Sequence, residues 1–326
     1  MIKGAASISI LLFLAAAVPR ITWTDKARIP VPVAGGYVAK AGNTIFYAGG
    51  ATWKGGVKRW LRDVNRYDAA TDRWSPGPQL PVPLAYGGFI EIDGGMEIYG
   101  GSDGNRVYRE CWRLGPGGAA WSSKGKLATD PLLSRALNIN GRVYLIGGCP
   151  DVVDLTHCSD AVQLSEKGSW RKVSAIPSGS LSDFAAAAIG GHVYVFGGCS
   201  MPAPNKLVNR DGAYSLDVRT GVWRTLRRLP HANRGLSATA VNSRYIVLSG
   251  GYTATGEEAA GKPADFGFTA AVMIYDTETN QYRAGTPLPF AVSGAETLLL
   301  GRTIFAFGGE DRMRGRTART LAGMLP

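Results

Sequence analysis

The stretch Ala185-Ala186-Ala187-Ala188-Ile189-Gly190-Gly191-His192-Val193-Tyr194-Val195-Phe196-Gly197-Gly198 decides how the rest of the chain is read. A small apolar run, a two-glycine turn and a run of β-branched and aromatic residues are the pattern of two short antiparallel strands joined by a tight hairpin. A further glycine pair ends the unit. The same ending, an apolar run closed by Gly-Gly, occurs five more times, at residues 44–50, 96–101, 142–148, 245–251 and 303–309. The first glycines of successive pairs are 51, 47, 50, 53 and 58 residues apart, a period that fits one repeated supersecondary unit.

A second marker keeps phase with the first. An aromatic is followed seven residues later by the proline of a Leu-Pro or Ile-Pro step: Trp23 with Pro30, Trp74 with Pro81, Trp170 with Pro177, Trp223 with Pro230 and Tyr282 with Pro289. One copy departs, Trp121 being followed by Leu127-Ala128. In all six copies the seventh residue stands 19 or 20 positions before the first glycine. A third apolar run follows a variable loop, at residues 64–67 or 272–275 for example. Turns such as Asp68-Ala69-Ala70-Thr71-Asp72 then lead to the aromatic of a fourth. Four short strands per unit make one antiparallel blade, and six blades bury both faces only by packing around an axis. The expected fold is all-β, a six-bladed β-propeller. Only 17 residues follow Gly309, with no Trp among them, so the N-terminal strand around residues 23–30 is expected to complete the last blade and leave no open edge.

Composition agrees. Gly accounts for 44 of 326 residues, roughly twice the usual share of about 7%, without a collagen-like triplet and with ample aromatics, which excludes a fibre or a disordered linker. Residues 1–17 have a short basic start, an uncharged run and Ala15-Ala16-Ala17, the layout of a secretory signal peptide. The run is shorter than the roughly 20 residues a membrane span needs. The expected organisation is a signal peptide over 1–17 and a propeller over 18–326, exported to the periplasm or secreted, with no membrane partner after cleavage. Export permits disulfides among Cys111, Cys149, Cys158 and Cys199; Cys149 with Cys158 closes the shortest loop, but spacing leaves the pairing open. The spacings around His157 match no zinc pattern, so neither metal nor cofactor is expected. The formal net charge of +11 comes without a basic run or nucleic-acid motif, so nucleic acid is not expected as a partner, whereas attraction of an anionic sugar is compatible. Oligomeric state is left open.

The glycine doublets, the phased aromatic and the period resemble kelch repeats over essentially the whole chain after residue 17. A narrower resemblance is to the N-acetylneuraminate epimerase (sialic acid mutarotase) branch of kelch propellers, in circularly permuted order. It is carried by Val33-Ala34-Gly35-Gly36-Tyr37 leading into Tyr47-Ala48-Gly49-Gly50-Ala51-Thr52-Trp53-Lys54-Gly55, by Pro83-Leu84-Ala85-Tyr86-Gly87, and by Gly309-Glu310 followed by Gly315-Arg316-Thr317. That resemblance implies Glu310 as proton acceptor. The chain departs from the family pattern at Asp311-Arg312-Met313-Arg314, where a Pro-Gly turn is usual, and in the fourth blade, which has residues 178–183 where an Arg is often found.

The residues themselves single out the same position. Ala51, Ser102, Cys149, Cys199, Tyr252 and Glu310 follow the six doublets and begin the loops at the channel mouth, where propellers meet ligands. Glu310 is the one base among them. Mutarotation needs a group that takes the anomeric proton and a donor to the ring oxygen, and a sialate carboxylate calls for an Arg fork. Arg316 is the first candidate for that fork and Arg234 the second, with Tyr86 placed to stack on a sugar face. The alternative is a non-catalytic propeller binding a glycan or protein on its loop face.

Overall fold

A computed structural model describes residues 20–166 and 168–325; the expected signal peptide at 1–17 lies outside them. Six four-stranded antiparallel sheets are present. In blade 1, for example, Tyr37–Ala41 is innermost, followed outward by Thr44–Ala48, Val64–Asp68 and Arg73–Pro76. Gly88–Ile92, Arg135–Ile139, Ala185–Ile189, Ser237–Ala240 and Glu296–Leu300 are the innermost strands of blades 2 to 6. Each lies against the next, and the sixth against the first, so the ring is closed. The closure is made by Thr22–Lys26, which pairs antiparallel with Thr320–Met324 as the outer strand of blade 6. Gly323 faces Trp23 in that ladder, and a side chain there would collide with the indole.

The core is layered between blades. One apolar layer joins Phe46 and Val64 of blade 1 to Ile98 and Trp112 of blade 2, another Ile146 and Val162 of blade 3 to Phe184 and Val195 of blade 4, and the remaining blade pairs are filled in the same way. A strand covered on both faces reads as a continuous apolar run instead of an alternating one, which is why Val193 to Phe196, Val143 to Ile146 and Ile304 to Phe307 are apolar without a break.

The glycine pairs join neighbouring blades. Gly197 and Gly198 both have positive φ, and a Cβ on Gly197 would lie 2.4 Å from the Asn233 carbonyl of the next blade. Gly198 N–H donates to that carbonyl at 2.7 Å. Equivalent bonds run from Gly50 to Leu84, Gly251 to Val292 and Gly309 to Val33. The phased aromatics bind the outer rim: the indole N–H groups of Trp23, Trp74, Trp121 and Trp223 and the hydroxyl of Tyr282 each donate to the preceding blade. Trp170 instead packs edge-on against Tyr99, with ring centroids 5.4 Å apart. Cys149 and Cys158 are disulfide-bonded, while Cys111 and Cys199 are free and buried.

Candidate functional site

The channel mouth is framed by six residues in the left-handed region, one standing two positions before the start of each innermost strand: Gly35, Tyr86, Leu133, Asp183, Gly235 and Gly294. Four backbone bonds link them around the axis, Tyr86 N–H to Gly35, Leu133 N–H to Tyr86, Gly235 N–H to Asp183 and Gly294 N–H to Gly235, at 2.7 to 2.9 Å. Three of the six are not glycine, and such residues hold this conformation only where the surroundings over-determine it. Their side chains line the mouth. On the other side of the collar a Cβ on Gly294 would meet nothing within 4 Å, which leaves space for a ligand.

That space is a cavity of about 300 Å³ bordered by Glu310, Arg234, Tyr86, Lys58 and Tyr252, with Arg135 and Glu296 reaching it from below. The volume is at the lower end of the range usual for small-molecule sites. Glu310 pairs backbone to backbone with Ser293, as every residue after a glycine doublet pairs with the residue before the collar position of its own blade. The fold thereby presents its side chain to the cavity. Desolvation pushes the Glu310 carboxyl above the ordinary range and Asp183 adds to this, while Arg316, Lys58 and Arg234 pull it back.

Arg316 lies beneath the cavity, not in it. Its side chain is 4% exposed, and Nη1 is 2.9 Å from Glu310 Oε1. It also donates to the carbonyls of Gly315 and Ala51 and to the Tyr86 hydroxyl. In this position its guanidinium holds Glu310 and Tyr86 in place. The departure at residues 311–314 does not displace it, because Gly315 N–H donates to Arg312 and Met313 N–H to Ala264, turning the chain back under Glu310. Arg234 is different. It borders the cavity, stacks over Tyr252 at 4.7 Å, reaches Asp183 only at 4.0 Å and has a buried Nε without a hydrogen-bond partner. Tyr86 borders the cavity with Lys58 Nζ 4.7 Å from its ring centroid.

Arg135, Glu296, Asp183 and Lys58 were not singled out from the sequence. Aligning the repeats on the collar instead of the doublets reveals two of them: the residue two positions on is Tyr37, Gly88, Arg135, Ala185, Ser237 and Glu296 in turn, and only Arg135 and Glu296 are charged.

Fold and mouth together define a kelch-type six-bladed β-propeller with an ionisable cavity at one end of its channel. Residues 180–230, the fourth blade, match the Kelch motif. The chain resembles N-acetylneuraminate epimerases: it is 27% identical to that of Yersinia pestis (strain Pestoides F) over 183 residues, 48% of this chain and 47% of the relative. To the N-acetylneuraminate epimerase of Haemophilus influenzae (strain PittEE) it is 28% identical over 178 residues, 47% of this chain and 48% of the relative. The chain thus spans about half the length of the curated relatives it matches.

Proposed function

We propose that the protein interconverts the anomers of N-acetylneuraminate or a related sugar acid, after export, with Glu310 as the proton-transfer group at the mouth. The observation that carries this reading is the Glu310 carboxyl itself, raised by desolvation yet fixed by Arg316 at the edge of a cavity of monosaccharide scale. A carboxyl moved toward neutral pH both takes and returns a proton efficiently. Arg234, which borders the same space with its Nε lacking a hydrogen-bond partner and Asp183 only at 4.0 Å, is the group for the substrate carboxylate, and the Tyr86 ring offers an apolar face to the sugar. The names of the relatives support the substrate class.

Glu310→Gln should abolish accelerated anomer exchange, followed by NMR on freshly released α-anomer, with the thermal melt unchanged. Exchange at the wild-type rate would remove the catalytic role. A binding module is favoured by one feature: Val153 and Met313 border the cavity at 77% and 51% exposure, an apolar rim wider than one sugar ring requires. Saturable binding of a sialyl glycan without exchange would select that reading.

A further inference from the structure

Arg135 and Glu296 open the innermost strands of blades 3 and 6, which face each other across the axis of a six-membered ring. At the same level Gly88, Ala185 and Ser237 are small and Tyr37 is buried in the layer between blades 1 and 2, and Ala185 and Ser237 border a channel cavity together with the two charges. Both residues line the mouth cavity, and both line a second cavity of about 170 Å³ deeper in the channel. They are the floor of one and the roof of the other. Among the described residues, the hydrogen bond of the Arg135 side chain is Nε to the Phe184 carbonyl at 3.1 Å, which leaves its other donors for the channel.

We propose that Glu296 is a second proton-carrying residue of this site, acting from the floor on the ring oxygen of a bound sugar acid while Glu310 acts from the rim on the anomeric hydroxyl. The proposal rests on the anomer-exchange reading above. A substrate carboxylate on Arg234 places the anomeric carbon, which bears it, close to Glu310, and the rest of the ring then extends toward the floor. In ring opening Glu310 takes the anomeric hydroxyl proton, a carbonyl forms at that carbon, and its bond to the ring oxygen breaks with the electron pair on oxygen. Glu296 supplies the proton that makes this oxygen a hydroxyl. After rotation the hydroxyl adds to the other face of the carbonyl and returns its proton to Glu296, while Glu310 returns the first to the new anomeric oxygen. Both carboxyls end as they began.

The surroundings of Glu296 suit an acid. Burial raises its carboxyl to about 7, with Arg135 of blade 3 opposing. From blade 1 the hydroxyls of Tyr37 and Tyr47 lie close enough to feel its charge, both held neutral by burial. Blade 2 presents Gly87 and Phe89. Lys58, Asp183, Arg234 and Glu310 face the cavity from above.

Anomer exchange is to be measured by NMR across neutral pH for wild type, Glu296→Gln and Glu296→Asp, with melting curves for each. Glu296→Gln should slow catalysed exchange by about 100-fold or more and remove the loss of rate on the alkaline side, where the acid deprotonates. Glu296→Asp, which keeps a carboxyl, should retain that alkaline limb even where the Gln variant melts early. Glu296→Gln at wild-type rate and profile, with Glu310→Gln inactive, would overturn the role of Glu296 alone. A wild type that does not accelerate exchange would overturn both readings.

Discussion

Arg316 joins three blades at the point where Glu310 emerges, touching the Ala51 carbonyl after the first glycine doublet, the Tyr86 hydroxyl in the collar and the Glu310 carboxylate of blade 6. A guanidinium does this because its donors are planar and permanently charged. Replacing it by Met removes the foremost influence holding the Glu310 carboxyl down. The folded-state pKa of Glu310 should therefore rise further, and since the role proposed for Glu310 is that of a base when ionised, the acid limb of the pH–rate profile should move to higher pH. The lost charge-assisted bonds should also lower stability by about 1–3 kcal/mol. Profile and melting curve on Arg316→Met check both; an unmoved acid limb would mean that Arg316 does not tune Glu310. Arg316→Lys keeps the charge without the fork, so it should restore the limb more fully than the stability.

The hairpin between the third and outer strands shows how an element is fixed by one side chain. Asp68, Asp217 and Asp276 each accept two backbone N–H bonds from the turn that follows. Asp276 alone is completely buried, and Arg244 grips both of its oxygens. The Arg244 guanidinium, ahead of the turn's N–H groups, holds its carboxyl at about 2. A pKa depressed on folding contributes stability that is complete above the unfolded value near 4 and is lost as pH falls through the folded one. Asp276→Asn should thus melt earlier than wild type at neutral pH, by about 1–3 kcal/mol, and the gap should close as pH approaches about 2. A gap independent of pH would assign the loss to packing. Such turns were legible in the sequence because the same residue type recurs in frame, as were the glycine doublets, where a neighbouring carbonyl excludes any side chain. The collar was not. Its frame is set by a backbone conformation that Gly35, Tyr86, Leu133 and Asp183 all adopt, so no residue type marks it, and Arg135 and Glu296 two positions later had no visible alignment. Burial of the Arg316 fork was hidden for a related reason, since its partners are backbone carbonyls and a tyrosine hydroxyl from other blades.

At the scale of the molecule, stability depends on the ring being complete. Each blade shares an apolar layer with the next, and the outer aromatics of five blades bond backward to their predecessors. The site needs the whole circle, because Glu310 and Glu296 come from blade 6, Arg234 from blade 5, Arg135 from blade 3, and Lys58 and Tyr86 from the first two. Blade 6 is the one assembled from both ends of the chain. Deleting residues through Lys26 would expose the Thr320–Met324 edge and remove Ile21 and Trp23 from the layer between blades 5 and 6. At about 1.5–3 kcal/mol for each large apolar side chain taken from burial, the loss is about 3–5 kcal/mol. A chain of this size changes its midpoint by about 2–4 °C per kcal/mol, so the truncated protein should melt about 10 °C lower. Its bare edge should also recruit a second copy, visible as a concentration-dependent increase in size by light scattering. A truncated protein that stays monomeric and melts with wild type would show that the closing strand contributes little to the ring, and the source of its stability would then have to be the layers between blades alone.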